Sequence, residues 1–323
     1  MLERTVIGVD IGGTKIIAGA VDERLAVHQR AQRAAPAHSQ AAALDALVDA
    51  VTEVRGAVPG PVHAVGFGIP SLIDQTRGVA VTSINLDLAG IPFGAIMSER
   101  LGLPVFVDND ANLAMLAEHR HGAARGAHHA AMLTIGTGIG GGLVINNEVY
   151  RGAIGAAAEL GHMVIQQDGP PCQGNCHNHG CLEALASGTA LAREGLLAAQ
   201  ANPNSALGAV HAQGRPITGA LITELAHDGD HVACGVLRLI GSRLGVGISN
   251  LVNMLNPEVV VIGGGVIAAG ELLLEPARAE VAARALPPSR DMVRIVRAAF
   301  GAEAGMVGAA AYAFEGIDHP VAA

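Results

Sequence analysis

At 323 residues the chain is too long for one ordinary hydrophobic core, and two domains are the expectation. Half of it is hydrophobic, yet only 2% is aromatic and there is no Trp, which argues against a module that stacks sugars on aromatic platforms. Its 20 basic and 29 acidic residues give a formal charge of −9 without a basic run, the wrong balance for a nucleic-acid or anionic-membrane surface.

Residues 5–10 read as a buried strand, Gly12-Gly13-Thr14 as a turn and residues 16–21 as a returning strand. Leu44, Leu47, Val48, Val51 and Val54 form a helical stripe over 39–55. A strand over 62–67 ends at Gly68-Ile69-Pro70, followed by a helix over 93–101, a strand over 105–107 and a helix over 111–119. Strands alternating with helices define an α/β architecture. A second strand–glycine–strand unit covers 131–145, and Ile135-Gly136-Thr137-Gly138 matches Ile11-Gly12-Gly13-Thr14 in register. Two such hairpins, one per half, indicate a duplicated fold. Residues 155–188 are loop-rich. Helices over 219–226 and 232–253, a strand over 259–262 running into Gly263-Gly264-Gly265, and helices over 271–285 and 303–314 complete the chain. Residues 1–5 show no signal-peptide pattern, and the longest uncharged stretch, 130–147, reads as strand–turn–strand. A cytoplasmic protein without a membrane partner is therefore expected.

The two glycine turns are the first candidate site. A phosphate needs close-approaching backbone N–H groups, which glycine permits. Asp10 can hold Mg²⁺, and Thr14 and Lys15 offer a hydroxyl and a cation; the plainer reading is a pair of ordinary hairpin turns. Gly136-x-Gly138-x-x-Gly141 satisfies the dinucleotide-binding pattern, but residues 142–145 read as a strand where that pattern requires a helix. Neither a Walker A sequence nor a Gly-x-Ser-x-Gly elbow occurs, which argues against a P-loop enzyme or an α/β-hydrolase.

Asp110, in Asp108-Asn109-Asp110-Ala111-Asn112 at a strand-to-helix junction, is the candidate general base. The carboxyl ends of strands are where α/β folds place ligands, and a carboxylate there can accept a hydroxyl proton while Asn109 bonds a neighbouring hydroxyl. A helix N-cap is the competing reading. Cys172, Cys176 and Cys181, together with His162, suit a closed tetrahedral Zn²⁺ site, with His177 and His179 as alternative imidazoles and free thiols as the plain alternative. Cys234, alone in an apolar helical segment, is expected in the core. Glu159 and Glu183 flank the cysteine loop and can accept from hydroxyls, though isolated glutamates are more often solvated. Gly264 and Gly265 can lie flat against an adenine ring or ribose, or simply turn the chain.

Together these pieces resemble the ROK family of bacterial repressors and sugar kinases, in the family's order and across nearly the whole chain. Val9-Asp10-Ile11-Gly12-Gly13-Thr14-Lys15 and Ile135-Gly136-Thr137-Gly138-Ile139-Gly140-Gly141-Gly142 resemble its two phosphate motifs. Asn109-Asp110-Ala111-Asn112 resembles the segment bearing its catalytic aspartate. Glu159-Leu160-Gly161-His162, with Gly180-Cys181-Leu182-Glu183, is similar to its zinc signature. The resemblance implies an actin-like, hexokinase-type duplicated fold of two α/β lobes around a cleft. One lobe would comprise 1–115 and 302–323, the other 116–301. It implies sugar contacts from Asn85, Asn109, Asp110, Glu159, His162 and Glu183, ATP phosphates on the two turns with Mg²⁺ near Asp10, a structural zinc shared by His162, and a homodimer. Phosphorylation would fall on O6 of glucose, with Asp110 as base. N-acetylmannosamine or N-acetylglucosamine is the alternative acceptor and polyphosphate the alternative donor.

Three positions depart from the family pattern: two extra residues between Cys172 and Cys176, Ala156-Ala157-Ala158 before Glu159, and Ser71 where glycine is usual. The competing functions are a DNA-binding sugar-responsive repressor and a catalytically silent sugar sensor. Only nine residues precede Asp10, too few for a helix-turn-helix domain, and the chain is acidic. Asp10, both turns and Asp110 are intact. A kinase acting on small molecules, with no nucleic-acid partner, is the expectation.

Overall fold

A computed structural model describes residues 4–12, 15–36, 39–74, 77, 79–81 and 88–319. The chain divides into two compact units, Met1–Gly126 with Gly142–Ala158 and Ala298–Ala323, and Ala127–Gly141 with Glu159–Arg297.

In the first unit, β1 (Thr5–Ile11) and β2 (Lys15–Asp22) pair antiparallel with Asp10 opposite Ile17. The Gly12 N–H closes their turn on the Lys15 carbonyl at 2.8 Å. β3 (Val27–Ala34) extends the sheet; its polar run, with Ala31 alone buried, is typical of an edge strand and gave no strand signal in the sequence. α1 (Gln40–Ala57), capped by Ser39, buries Leu44, Leu47, Val51 and Val54, so the helical stripe is borne out. β4 (Val62–Ile69), a small ribbon of β5 (Ile73–Asp74) and β6 (Val79–Ala80), α2 (Phe93–Leu101), β7 (Val105–Asn109) and α3 (Asp110–His121) follow. The main sheet runs β3-β2-β1-β4-β7, with β1, β4 and β7 parallel.

β8 (Ala130–Ile135) opens the second hairpin, followed by β9 (Ile139–Ile145) and β10 (Glu148–Val149). β9 is the strand that excludes a dinucleotide-binding helix at this place. Helices α4 (Leu182–Ala186), α5 (Gly188–Ala201), α6 (Ala206–Ala212), α7 (Gly219–His227) and α8 (His231–Leu255) lead to β11 (Val259–Gly263), α9 (Glu271–Arg284), α10 (Ser289–Met292) and β12 (Arg294–Arg297). The sheet order is β10-β9-β8-β11-β12. Counted from its own first strand, each five-stranded sheet therefore reads third, second, first, fourth, fifth, which is the duplication that the matching turns announced.

α8 is the one described helix long and apolar enough to span a membrane. Its Leu237, Ile240, Leu244 and Ile248 are fully buried, and Gly241 and Gly245 leave room for the Leu273 and Ala277 carbonyls of α9, as in a packed core helix. Cys234 on this helix is half-buried and its Sγ donates to the Ala226 carbonyl at 3.4 Å. It is therefore an edge position, a correction to the core expected of it.

α11 (Ala304–Asp318) returns to the first unit. Gly8 on β1 and Gly66 on β4 have no space for a Cβ, because the Met306 and Ala309 carbonyls of α11 lie against them. Small residues on both partners let this helix backbone sit directly on the sheet, which fixes the strand ends carrying the first site.

Candidate active site

Asp10 stands opposite Gly68, and Gly68 opposite Asp108, along the parallel strands β1, β4 and β7. A Cβ on Gly68 would lie 3.5 Å from the Asp110 Cα and 3.6 Å from Asp10 Oδ1. Gly305 on α11 is tighter still, since its Cβ would come within 2.6 Å of the Asp10 carboxyl carbon. The two glycines thus hollow out space for two carboxylates at the carboxyl ends of the strands, where α/β sheets bind ligands. Burial and the charge of Asp110 push the Asp10 carboxyl up to about 7, against the pull of the Lys15 ammonium. Gly13, Thr14 and Asn85, expected at this site, lie outside the described residues.

Capping of α3 falls to Asn109, whose Oδ1 accepts the N–H groups of Ala111 and Asn112 at 3.0 and 3.1 Å. Asp110 is the first helical residue, and its Oδ1 accepts the Ala111 N–H at 2.8 Å. Asn109 Nδ2 donates to the Ser71 carbonyl at 3.4 Å. Behind this junction the buried Asp108 accepts from Arg151 Nε at 2.6 Å and from the Asn109 N–H at 2.8 Å. The Arg151 guanidinium lies 5.2 Å over the Tyr312 ring. Neither Arg151 nor Tyr312 was visible as a site residue in the sequence, where nothing links them to Asp108.

In the second unit the turn at 136–139 is held through its first three carbonyls and the N–H groups of Gly136 and Ile139. The Gly136 carbonyl accepts from Gly188, the Gly138 carbonyl from the Gly136 N–H, and the Thr137 carbonyl from both Gln173 Nε2 and Thr189 Oγ1. The Ile139 N–H donates to Glu183 Oε2 at 2.7 Å. Among the described residues none of these bonds uses the N–H of Thr137 or Gly138, which leaves two adjacent amides suited to an anion. Beside the turn is a cavity of about 840 Å³, walled by Leu191, Ala192, Ile217 and Val266 with Thr189 and Glu224 at its edge. Its apolar wall with few polar groups suits a flat heterocycle. Gly265 lines the cavity. Gly264, at φ +83° and tight against the Ile135 backbone, turns the chain. The cavity wall was not foreseen, because α5 and α7 supply it from separate stretches of sequence.

His162, Cys172, Cys176 and Cys181 come together with their ligand atoms within 4.8 Å of one another. Cys176 and Cys181 Sγ are 3.9 Å apart, and Cys172 Sγ lies 3.6 Å from His162 Nδ1. A tetrahedral zinc with bonds of about 2.3 Å has edges of about 3.8 Å, so the donor set fits that ion. Burial, with the neighbouring thiols and Glu183 adding to it, pushes the Cys172 thiol well up, and burial raises that of Cys181. Binding a metal there would require the thiolates and so release their protons. His162 is the imidazole brought to the thiols; His177 and His179 are exposed, and His179 Nδ1 instead lies 3.2 Å from the Gly169 carbonyl. His162 Nε2 is 3.9 Å from the exposed Glu159. Glu183 is buried and committed to the Ile139 N–H, unlike the solvated glutamate of the plainer reading.

The duplicated sheets, each with a glycine turn in its first hairpin, define an actin-like fold of the hexokinase type. The chain belongs to the ROK family, whose model matches residues 6–315. It is 36% identical over 322 residues to the glucokinase of Streptomyces coelicolor, covering 96% of this chain and 97% of that one. The crystal structure of a ROK family glucokinase from Streptomyces griseus in complex with glucose and AMPPNP matches with a TM-score of 0.87 at 37% identity, over 97% of this chain and 100% of that one. The chain is also 28% identical over 312 residues to the xylose repressor of Bacillus spizizenii, covering 96% of this chain and 77% of that one.

Proposed function

We propose that this protein is a sugar kinase that transfers the γ-phosphoryl of ATP to a hexose hydroxyl, O6 of glucose in the first instance, with Asp110 as general base. The observation that carries the reading is local to α3. Asn109 is the N-cap of the helix, and Asp110, whose Oδ1 accepts the Ala111 N–H, stands at the strand end within electrostatic reach of Asp10. Similarity to glucokinases over nearly full length supports the same activity.

In this reading Asp110 takes the proton of the hydroxyl as its oxygen bonds to the γ-phosphorus. The bond from phosphorus to the β,γ-bridging oxygen breaks, ADP leaves, and the proton passes from Asp110 to solvent. Little covalent work is asked of the protein, and catalysis is mainly positioning and charge neutralisation. The open amides of Thr137 and Gly138 receive phosphate oxygens. The cavity beside them receives the adenine, which favours a nucleotide over polyphosphate as donor. Asp10 is the residue that would hold Mg²⁺, which when bound neutralises phosphate charge. His162 Nδ1 and the three cysteine sulfurs would hold Zn²⁺, which would cross-link the segment between Glu159 and α4, with the exposed Glu159 the carboxylate offered to a sugar hydroxyl. The cytoplasm, where ATP and free hexose meet, is the compartment that this reading requires.

The test is ADP release by the purified protein with Mg·ATP and glucose, mannose, N-acetylmannosamine or N-acetylglucosamine, with the phosphorylated position read by NMR. Saturable turnover on glucose with a 6-phosphate product is expected. Similarity to a xylose repressor favours a second reading, a silent sugar sensor. Binding of a sugar without turnover on any of them would select it.

A further inference from the structure

Two side chains carry the cysteine loop onto the second glycine turn. Gln173, between Cys172 and Cys176, donates from Nε2 to the Thr137 carbonyl at 2.8 Å. Glu183 accepts the Ile139 N–H through one oxygen at 2.7 Å and meets Cys172 Sγ at 3.6 Å through the other. Gln173 thus fixes the peptide that bears the Gly138 N–H and Glu183 the residue after it, and the two fastenings run back to the neighbouring ligand positions Cys172 and Cys181. Gly138 has no room for a side chain because the Glu183 carboxylate crowds it, while Gln173 Nε2 lies at ordinary contact distance, so the brace and the turn are in direct contact.

We propose that Gln173 and Glu183 couple metal binding at the cysteine–histidine cluster to phosphate binding at the 136–139 turn, an inference that rests on the nucleotide role proposed for that turn. Amides bind an anion well only when they are already held in the binding shape. The shape here is set by Gln173, which follows Cys172, and by Glu183, two residues after Cys181 on α4. A metal ion that cross-links Cys172 and Cys181 with His162 and Cys176 removes the freedom of both anchors. Without it, the turn must be ordered at the cost of nucleotide affinity. Linkage makes the effect reciprocal, so nucleotide strengthens metal binding by the same factor. Thr189, the second donor to the Thr137 carbonyl, lies on α5 outside the loop and keeps the turn from depending on the metal entirely.

The experiment measures Mg·AMPPNP affinity by calorimetry in zinc-loaded and chelator-stripped protein, and Zn²⁺ affinity by chelator competition with and without AMPPNP. Stripping is expected to weaken AMPPNP about tenfold, and AMPPNP to tighten zinc by the same factor. Gln173→Met keeps the length and removes the donor. Its zinc affinity without nucleotide should match the parent, while its AMPPNP affinity in the loaded state falls about threefold. Equal AMPPNP affinity in loaded and stripped folded protein overturns the coupling. If the stripped protein loses its circular dichroism signal, undiminished AMPPNP affinity in zinc-loaded Gln173→Met overturns it instead. Failure of the loaded parent to bind AMPPNP at all overturns the nucleotide role of the turn, and the coupling with it; binding without coupling overturns the coupling alone.

Discussion

Arg151 Nε donates to the Asp108 carboxylate at 2.6 Å, and the pair is almost entirely withdrawn from water on the carboxylate side, where 2% of the side chain is exposed. Asp108 is the residue before Asn109 and Asp110, so a charge pair holds the strand end that presents them. Removing one partner of a buried pair leaves the other charge uncompensated. Arg151→Met should therefore cost about 3 kcal/mol in urea unfolding, and adding Asp108→Asn should restore part of that loss. A single variant as stable as the parent would remove this role.

Ala158 has φ +65°, in the left-handed region where a Cβ costs about 1–2 kcal/mol, and it immediately precedes Glu159. This is the alanine stretch where the family often has glycine, so the departure noted in the sequence carries measurable strain. Ala158→Gly should stabilise the protein by roughly 1 kcal/mol, read as a higher Tm. A lower Tm would mean that the side chain makes contacts that outweigh the strain.

Asp22 closes the β2–β3 turn, accepting the N–H groups of Arg24 and Ala26 and lying 2.8 Å from His28 Nε2. Burial alone would raise its carboxyl, but the Ala26 N–H, His28 and the Arg24 N–H outweigh it and hold the group below its ordinary 3.8. A carboxyl depressed in the folded state stabilises fully above its unfolded value and loses that contribution as pH falls through the folded one. The stability gap between the parent and Asp22→Asn should thus be constant near neutrality and shrink below about pH 4. A gap that stays unchanged down to pH 2 would contradict the assignment.

The cysteine–histidine cluster predicts one zinc per chain by metal analysis. Cys176→Ser should lose most of it, whereas His179→Ala, outside the cluster, should keep it. Zinc-free parent protein, or retention by Cys176→Ser, would remove the site.

How much of this was legible in the sequence depended on range. The two turns were readable because glycine runs between apolar strands are local signals, and the α1 stripe because Leu44, Leu47, Val51 and Val54 repeat at helical spacing. The cysteine cluster was readable from spacing, since Cys172, Cys176 and Cys181 are near neighbours in the chain. Arg151 was not, because its partner Asp108 is 43 residues away, with α3, β8, β9 and β10 between them. The cavity wall stayed hidden for a similar reason. Leu191 and Ile217 look like ordinary helix and loop residues until α5 and α7 fold beside the turn. The choice between cap and base at Asp110 was undecidable from sequence, because Asn109 and Asp110 are both good caps; the side-chain geometry gives the cap to Asn109.

If Asp110 is the base of a phosphoryl transfer to sugar, the Asp110→Asn variant should lose turnover while keeping its fold. ADP release with Mg·ATP and glucose should fall about 10²–10⁴-fold in this variant, with glucose still bound and the circular dichroism spectrum unchanged. Near-parental turnover in Asp110→Asn would contradict the account.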